Sequence, residues 1–87
     1  MIVRNTDLAY LPAGEGQMVV FDPESGDAHF LDDVGAEILA LMEEPTTSEQ
    51  IADKLSAVYD GDPVRIRADV EAFMRQMRER RIIRDAG

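Results

Sequence analysis

The sequence predicts an α+β fold in which a small antiparallel three-stranded sheet is followed by three helices. The first third of the chain holds short β-branched and aromatic runs separated by turn residues, which is typical of strands joined by hairpins. The remainder repeats apolar residues at helical spacing. A chain of 87 residues can bury one modest core, so we predict a single domain over residues 1–87.

Three strands are predicted in the first part of the chain. Residues 7–12 (DLAYLP) form the first, and a turn over residues 13–16 separates it from the strand 17–21 (QMVVF). The loop 22–26 (DPESG) combines a proline, which presets φ, with a glycine, which accepts a positive φ. The chain therefore returns over residues 27–31 as the partner strand of a hairpin.

The first helix is predicted to begin at Asp32 or Asp33, whose carboxylates can cap unpaired backbone N–H groups. It should end at residues 43–45, because Pro45 disfavours helical conformation in the residue before it. Its predicted apolar face consists of Val34, Ile38, Leu41 and Met42.

Two more helices are predicted after Pro45. Residues 47–50 (TSEQ) form a capping-box pattern that starts the second helix, and Gly61 suits the position just after its end. The third helix takes Asp62 as its N-cap and Pro63 at its first helical position. Its apolar stripe comprises Ile66, Val70, Phe73, Met74 and Met77.

The end of the chain completes the predicted core. Ile82 and Ile83 follow the third helix, and they either close the core or add a short edge strand. No helix can bury its stripe alone, so the three helices are expected to pack together against the sheet. Three helices beside a hairpin make a winged helix-turn-helix-like arrangement.

Composition excludes several classes of protein. The chain has no cysteine, which rules out disulfides and thiolate metal sites. No apolar run approaches the roughly 20 residues that span a bilayer, and residues 1–10 lack the apolar segment of a signal peptide. Apolar residues make up 45% of the chain, which is typical of a folded domain. We therefore expect a soluble, cytoplasmic protein.

Charge is unevenly distributed. The net charge is −9, yet residues 1–62 carry fourteen acids and two bases, whereas residues 63–87 carry seven arginines and four acids. An acidic body disfavours general nucleic-acid binding, because neutralisation of phosphates dominates such affinity. The arginines suit either a solvated helix face or a recognition helix, so a winged-helix DNA-binding regulator stays an alternative.

No constellation of residues predicts catalysis or a metal site. His29 is the only histidine, and nothing in the sequence supplies the nucleophile or the further ligands that a catalytic or zinc site requires. The acids of residues 22–33 lack the spacing of an EF-hand loop, and turn formation and helix capping explain them better. We therefore predict a protein that is not an enzyme and binds no cofactor or metal.

Two long runs resemble the PqqD-like family, the precursor-peptide recognition elements of ribosomal peptide natural-product pathways. They are VVFDPESGDAHFLDDVGAEILALMEEPTTSEQIADKL, residues 19–55, and VRIRADVEAFMRQMRERRII, residues 64–83. The stretch from Phe30 to Ile38 is the most characteristic. Asp32 departs from the pattern, since many members have Asn there, and residues 80–83 replace a common Gly-Leu pair. The order and spacing of these elements carry the resemblance.

The resemblance implies a non-catalytic module that binds the leader segment of a precursor peptide. The leader would add as a strand to the edge of the third strand, which is β-augmentation. The implied partners are the leader peptide and a maturation enzyme such as a leader protease, a cyclase or a radical SAM enzyme. The pathway would produce a lasso peptide, which chain length and the third helix slightly favour, or a PQQ-like product.

The resemblance also implies which residues bind the peptide. The docking edge would be Asp27, Ala28, His29, Phe30 and Leu31. The opposite wall, on the third helix, would be Arg67, Val70, Glu71, Met74, Arg75 and Arg78. An aliphatic or aromatic leader residue is expected near Val70 and Met74, since methionine suits adaptable binding surfaces. The arginines would then pair with leader carboxylates.

Overall fold

The computed structural model describes residues 1–86, which form a three-stranded sheet, three helices and a second sheet of two strands. The elements are, in chain order, β1 (Ile2–Arg4), β2 (Ala9–Ala13), β3 (Gln17–Phe21), β4 (Ala28–Leu31), α1 (Asp33–Ala40), α2 (Ser48–Val58), α3 (Pro63–Glu79) and β5 (Ile83–Asp85). The predicted α+β architecture is confirmed. None of the helices in the described part is long and apolar enough to cross a bilayer.

The larger sheet is antiparallel, in the order β2-β3-β4. β3 pairs with β2 from Ala13↔Gln17 to Ala9↔Phe21, and with β4 from Met18↔Leu31 to Phe21↔Ala28. Gly14 and Gly16 take positive φ in the first turn, and Gly26 (φ 81°) does so in the second. The second turn is further held by Asp22, whose carboxylate accepts hydrogen bonds from the Glu24 and Ser25 amides.

Side chains alternate between the two faces of this sheet, as strand geometry requires. Val20 and Leu31 face the helices and are buried. Leu11 and Phe30 point the other way and are exposed at 51% and 61%. The outer face is therefore partly apolar, whereas the inner face closes the core.

The helix starts follow the sequence closely. Asp32, not Asp33, is the N-cap of α1, and its carboxylate accepts from the Gly35 amide at 2.8 Å. Thr47 caps α2 by accepting from the Gln50 amide at 3.1 Å. Asp62 caps α3, with Pro63 in the first turn. Small polar residues at these positions satisfy amides that the helix itself leaves unpaired.

The helix ends differ from the predictions. α1 ends at Ala40 rather than at residues 43–45. α2 ends at Val58 with Tyr59 extended, so the prediction that Gly61 follows the helix end is wrong. Val34, assigned to the apolar face of α1, is 42% exposed, and Leu39 is fully buried instead. In a helix that starts at Asp33, residues 35, 36, 38 and 39 face the core. Val34 therefore lies on the exposed side of the first turn.

The smaller sheet joins the two ends of the chain. β1 pairs antiparallel with β5 from Ile2↔Asp85 to Arg4↔Ile83. The backbone of Ile2 also exchanges two hydrogen bonds with Thr46, the buried residue ahead of α2. Ile82 and Ile83 both close the core, and Ile83 also begins the edge strand β5, so both alternatives are correct. β1 was not predicted.

One hydrophobic cluster receives side chains from both sheets and all three helices. Its fully buried members include Val20, Leu39, Met42, Ile51, Met77 and Ile82. Tyr10 packs on its edge and donates a hydrogen bond from Oη to the Asn5 carbonyl at 2.6 Å. The core thus holds the larger sheet against α1 and α3, which fixes the position of β4.

Candidate functional site

The exposed edge of β4 is the first part of the candidate site. β3 covers one edge of β4, and within residues 1–86 no strand covers the other. The Asp22 amide donates to the Asp27 carbonyl, so Asp27, His29 and Leu31 direct their backbone groups toward β3. Because the direction alternates along an antiparallel strand, Ala28 and Phe30 direct their N–H and C=O groups outward. We call this outward side of Ala28–Leu31 the β4 edge.

Phe73 of α3 marks where this helix approaches the end of β4. Phe73 lies against Gly35, just beyond the C-terminal end of β4, where an added Cβ would meet Phe73 Cε2 at 3.2 Å. α3 therefore packs against the start of α1, just beyond the C-terminal end of β4. In the loop before β4, hydrogen bonds from the Glu24 and Ser25 amides lower the pKa of Asp22.

A cavity of about 290 Å³ lies where α1, the end of α2 and α3 meet, and we call it the corner cavity. Its walls are mostly apolar and consist of Val34, Ile38, Leu55, Ile66, Val70 and Phe73. Asp32, Tyr59 and Asp69 add polar groups. Its volume is at the lower end of those of small-molecule sites, which suits one large side chain. Asp32 directly follows β4, so the cavity lies at the end of the β4 edge.

Carboxylates surround the mouth of the corner cavity. Tyr59 Oη donates a hydrogen bond to Glu37 Oε2. This bond raises the pKa of Tyr59, and the negative charges of Glu37 and Asp33 add to the rise. Asp32 and Asp69 line the cavity itself. The site is therefore apolar inside and negative at its entrance.

The structure distributes the predicted strand residues over both faces of β4. Asp27 precedes the strand and accepts a hydrogen bond from Ser25 Oγ at 3.2 Å. Ala28 and Phe30 are exposed, His29 is half-buried opposite Val20, and Leu31 is in the core. Only the backbone of Ala28 and Phe30 is directed toward an incoming strand. The assignment of these residues to peptide binding stays a prediction.

Three of the six predicted α3 residues already have partners elsewhere in the molecule. Arg67 forms an ion pair with Glu49 of α2. Glu71 accepts a hydrogen bond from Ser48 Oγ at 2.7 Å, also on α2. Arg78 pairs with Asp85 of β5 at 3.0 Å. These side chains therefore face α2 and β5.

The other three predicted α3 residues differ in exposure. Val70 and Met74 are 2% and 3% exposed; Val70 contributes to the wall of the corner cavity, whereas Met74 lies nearer Ile2 and Thr46. Arg75 is exposed and lines a shallow depression next to Phe73. The structure thus places Val70 in the wall of the corner cavity and Arg75 in the depression beside it. Their role in binding also stays a prediction.

Sequence reasoning missed some groove residues of α3. Ile66, Asp69 and Phe73 line the corner cavity, and Gln76 lies with Phe73 in the adjoining depression. Their spacing of three or four residues places them on one face of a helix. That spacing was visible, but Ile66 and Phe73 were assigned wholly to the core. Within residues 1–86, no group of three or more potential ligands is arranged to hold a metal ion.

Comparison with known proteins gives one family and a consistent fold. The model of the family "Coenzyme PQQ synthesis protein D (PqqD)" matches residues 17–83. No curated protein sequence matches the chain. TbiB1 in complex with the TbiA(beta) leader peptide is similar, with a TM-score of 0.85 at 22% identity over 98% of both chains.

Two further solved structures have the same fold. A lasso peptide synthetase B1 complexed with the leader peptide has a TM-score of 0.83 at 19% identity, covering 97% of this chain and 98% of its own. The solution structure of a PqqD truncation of Methylobacterium extorquens PqqCD, described as a stand-alone recognition element for ribosomally synthesised and post-translationally modified peptides (RiPPs), has a TM-score of 0.76 at 25% identity, covering 97% and 88%. Because the family model spans most of the sequence, from residue 17 to residue 83, the chain belongs to the PqqD family, as its sequence indicated.

Proposed function

We propose that this protein binds the leader segment of a ribosomally synthesised precursor peptide and presents it to a maturation enzyme. The observation that carries the proposal is the uncovered β4 edge, which is followed directly by Asp32 in the lining of the corner cavity. The two similar structures solved with leader peptides support it, since they share this fold.

The β4 edge supplies affinity through its backbone. The outward N–H and C=O groups of Ala28 and Phe30 can pair with an added strand, which is a recurring mode of peptide recognition. An uncovered strand edge otherwise promotes aggregation, so a peptide ligand gives it a purpose. Alternate side chains of the added strand would face α3, and the others would lie beside Phe30 on the outer sheet face.

The groove wall on α3 consists, in this proposal, of Ile66, Asp69, Phe73, Arg75 and Gln76. Val70 forms the floor of the corner cavity, where an aliphatic or aromatic leader residue is held. Arg67, Glu71 and Arg78 take a smaller part, because each would first have to leave its partner on α2 or β5. Selection then comes from the cavity, and affinity comes mainly from the β4 edge.

The protein's own part in maturation is recognition and delivery, without a chemical step. The partner is a leader protease, a cyclase or a radical SAM enzyme of a lasso-peptide or PQQ-like pathway, and the site of action is the cytoplasm, where the precursor is made. The alternative of a winged-helix DNA-binding regulator gains nothing from the similar structures, and the acidic net charge disfavours it.

The decisive experiment blocks the β4 edge without disturbing the inner hydrogen bonds of the sheet. The probe is a fluorescent synthetic peptide with the leader sequence of a short precursor identified among the reading frames that neighbour this gene. Ala28→Pro removes an outward N–H at the first residue of the strand, where proline is best tolerated. We expect the affinity of Ala28→Pro for the leader to fall by about tenfold or more, because the hydrogen bond at residue 28 is lost and the adjacent ones are weakened.

Ala28→Val is the matched control, since it keeps the N–H and should bind as the original protein does. Folding of each variant is checked by its thermal melt. A second experiment uses the original protein with two leaders, N-methylated at the odd-numbered or at the even-numbered residues. Only one of the two sets directs its N–H groups toward β4, so only one of the two leaders should bind more weakly. Equal affinities for both protein variants and for both N-methylated leaders would exclude strand addition. Tight, steeply salt-dependent binding of duplex DNA instead would favour the regulator.

A further inference from the structure

The acids at the mouth of the corner cavity have no cationic partner among residues 1–86. Among the described residues, the ion pairs are Arg4–Glu43, Arg67–Glu49 and Arg78–Asp85, and none involves a carboxylate of the mouth. The Asp32 carboxylate accepts from the Gly35 amide that it caps, the Asp33 carboxylate accepts from the Val34 amide, and the Glu37 carboxylate accepts from the Tyr59 hydroxyl. Negative charge is therefore concentrated at one end of the groove.

The interior of the same cavity imposes a different requirement. Its walls are formed by Ile38, Leu55, Ile66, Val70 and Phe73. Burial of a charge among such groups is costly, so the part of the ligand inside must be apolar. A cation can lie only at the mouth, where solvent and the carboxylates both stabilise it.

We propose that the corner cavity selects a leader segment in which an apolar residue is followed or preceded, two positions away, by lysine or arginine. This inference rests on the proposed function. Residues two apart in an extended strand point to the same side, so an apolar side chain entering the cavity places its i±2 neighbours over the mouth. The leader residues directly before and after the apolar one point to the outer sheet face, so they do not contact the carboxylates.

The acids at the cavity mouth favour a basic leader, whereas the arginines of α3 had suggested an acidic one. Arg67 and Arg78 are neutralised by Glu49 and Asp85, whereas the carboxylates of Asp33 and Asp69 have no arginine or lysine within ion-pair distance among the residues described. Repulsion between these acids is relieved when a cation binds among them. A leader that is acidic at these positions is repelled and binds poorly, which is the source of selection against other peptides.

Asp69→Lys tests the inference, because Asp69 lies on the exposed surface of α3 at the mouth. Asp53→Lys is the matched control: it changes the net charge equally, on an exposed position of α2 that lines a different depression. Binding of the leader peptide chosen above as the probe is measured at low ionic strength. We expect Asp69→Lys to weaken binding by about tenfold and Asp53→Lys by less than about twofold.

A second peptide completes a double-mutant cycle. In this peptide, the lysine or arginine two positions from the apolar residue is replaced by glutamine. It should bind the original protein about tenfold more weakly, yet bind Asp69→Lys as well as the unchanged leader does, because the coupling is then already lost. Additive losses would overturn the inference, as would unchanged binding to Asp69→Lys.

The outcomes separate the two proposals. If Ala28→Pro weakens binding but Asp69→Lys does not, strand addition stands and the charge selection is wrong. If the original protein does not bind the leader at all, both are wrong. A leader that binds tightly but has no base two positions from an apolar residue also contradicts the charge selection.

Discussion

Gly35 sets the distance between the start of α1 and α3. A Cβ at this position would lie 3.2 Å from Phe73 Cε2 and 3.3 Å from Asp32 Oδ1, closer than side chains normally approach. Glycine here permits Phe73 to reach the helix backbone, and Phe73 in turn forms a wall of the corner cavity. One residue thus affects both the packing of two helices and the shape of the proposed binding site.

Gly35→Val should destabilise the fold by about 1–3 kcal/mol, the usual cost of overpacking, and should also weaken leader binding as Phe73 is displaced. Gly61→Val is the control, since an added Cβ there meets only Ile66 at an ordinary 3.5 Å, and its change should stay within about 0.5 kcal/mol. Urea unfolding measures both variants. A Gly35→Val protein as stable as the original would show that Phe73 moves freely.

Tyr10 connects the larger sheet to the ends of the chain. Its hydroxyl donates to the Asn5 carbonyl, and the Arg4 guanidinium lies 4.6 Å from its ring centre. Burial is the main reason that the pKa of Tyr10 is raised above 10.0, since Arg4 and the hydrogen bond act the other way. The folded state therefore holds the phenol proton more tightly than the unfolded state does.

Tyr10→Phe should lower stability at neutral pH by about 1 kcal/mol, as expected for one lost hydrogen bond. The sign of the pH effect follows from the raised pKa: the contribution of Tyr10 is complete below the unfolded pKa and is lost as pH rises through the folded one. The original protein should therefore lose more stability above pH 10 than Tyr10→Phe does. Parallel pH profiles in urea unfolding would contradict this.

The sequence predicted those helices and strands whose formation depends on residues close together in the chain. The strands of the larger sheet and the starts of all three helices follow from turn residues, caps and apolar spacing. β1 was not predicted because it is three residues long and its partners, β5 and Thr46, are distant in sequence. Strand pairings between distant segments depend on tertiary packing, so they cannot be predicted from the residues of one segment alone.

The same limit applies to the candidate site on α3. The apolar stripe fixed which side of α3 is buried, and Val70, Met74 and Met77 are indeed buried. Which polar face meets α2 and which meets β4 depends on how the helices cross. The resemblance implied that Arg67 and Arg78 belong to the peptide-binding wall, and the structure pairs them with Glu49 and Asp85. Their contact with a leader stays a prediction.

Ile2→Ala tests whether the β1–β5 sheet stabilises the whole domain. Ile2 is 5% exposed and packs in the core, and its backbone pairs with Thr46. Loss of a buried isoleucine side chain typically costs 2–5 kcal/mol, and we expect about 2 kcal/mol here because the strand is terminal. Met1→Ala, at a neighbouring position that is 63% exposed, should change stability by less than about 0.5 kcal/mol. Equal urea midpoints for both would show that β1 is peripheral.

The charge of the whole molecule acts at longer range than any contact. The net charge of −9 arises because residues 1–62 carry twelve more acids than bases. This part of the chain includes β4 and three of the four acids at the cavity mouth. Such a field repels nucleic acid and attracts a cationic peptide before contact is made. The same charge that disfavours the regulator alternative therefore favours a leader with basic residues.

The association rate of the leader should consequently depend on ionic strength. Added salt screens the attraction, with a Debye length near 10 Å at about 0.1 M, so the association rate constant should fall on the order of tenfold from low to high salt while dissociation changes less. Stopped-flow anisotropy with the labelled leader measures both constants. The leader in which glutamine replaces the basic residue is the control and should show a shallower dependence. An association rate that rises with salt would mean that the leader is repelled, and that the acids at the cavity mouth do not attract it.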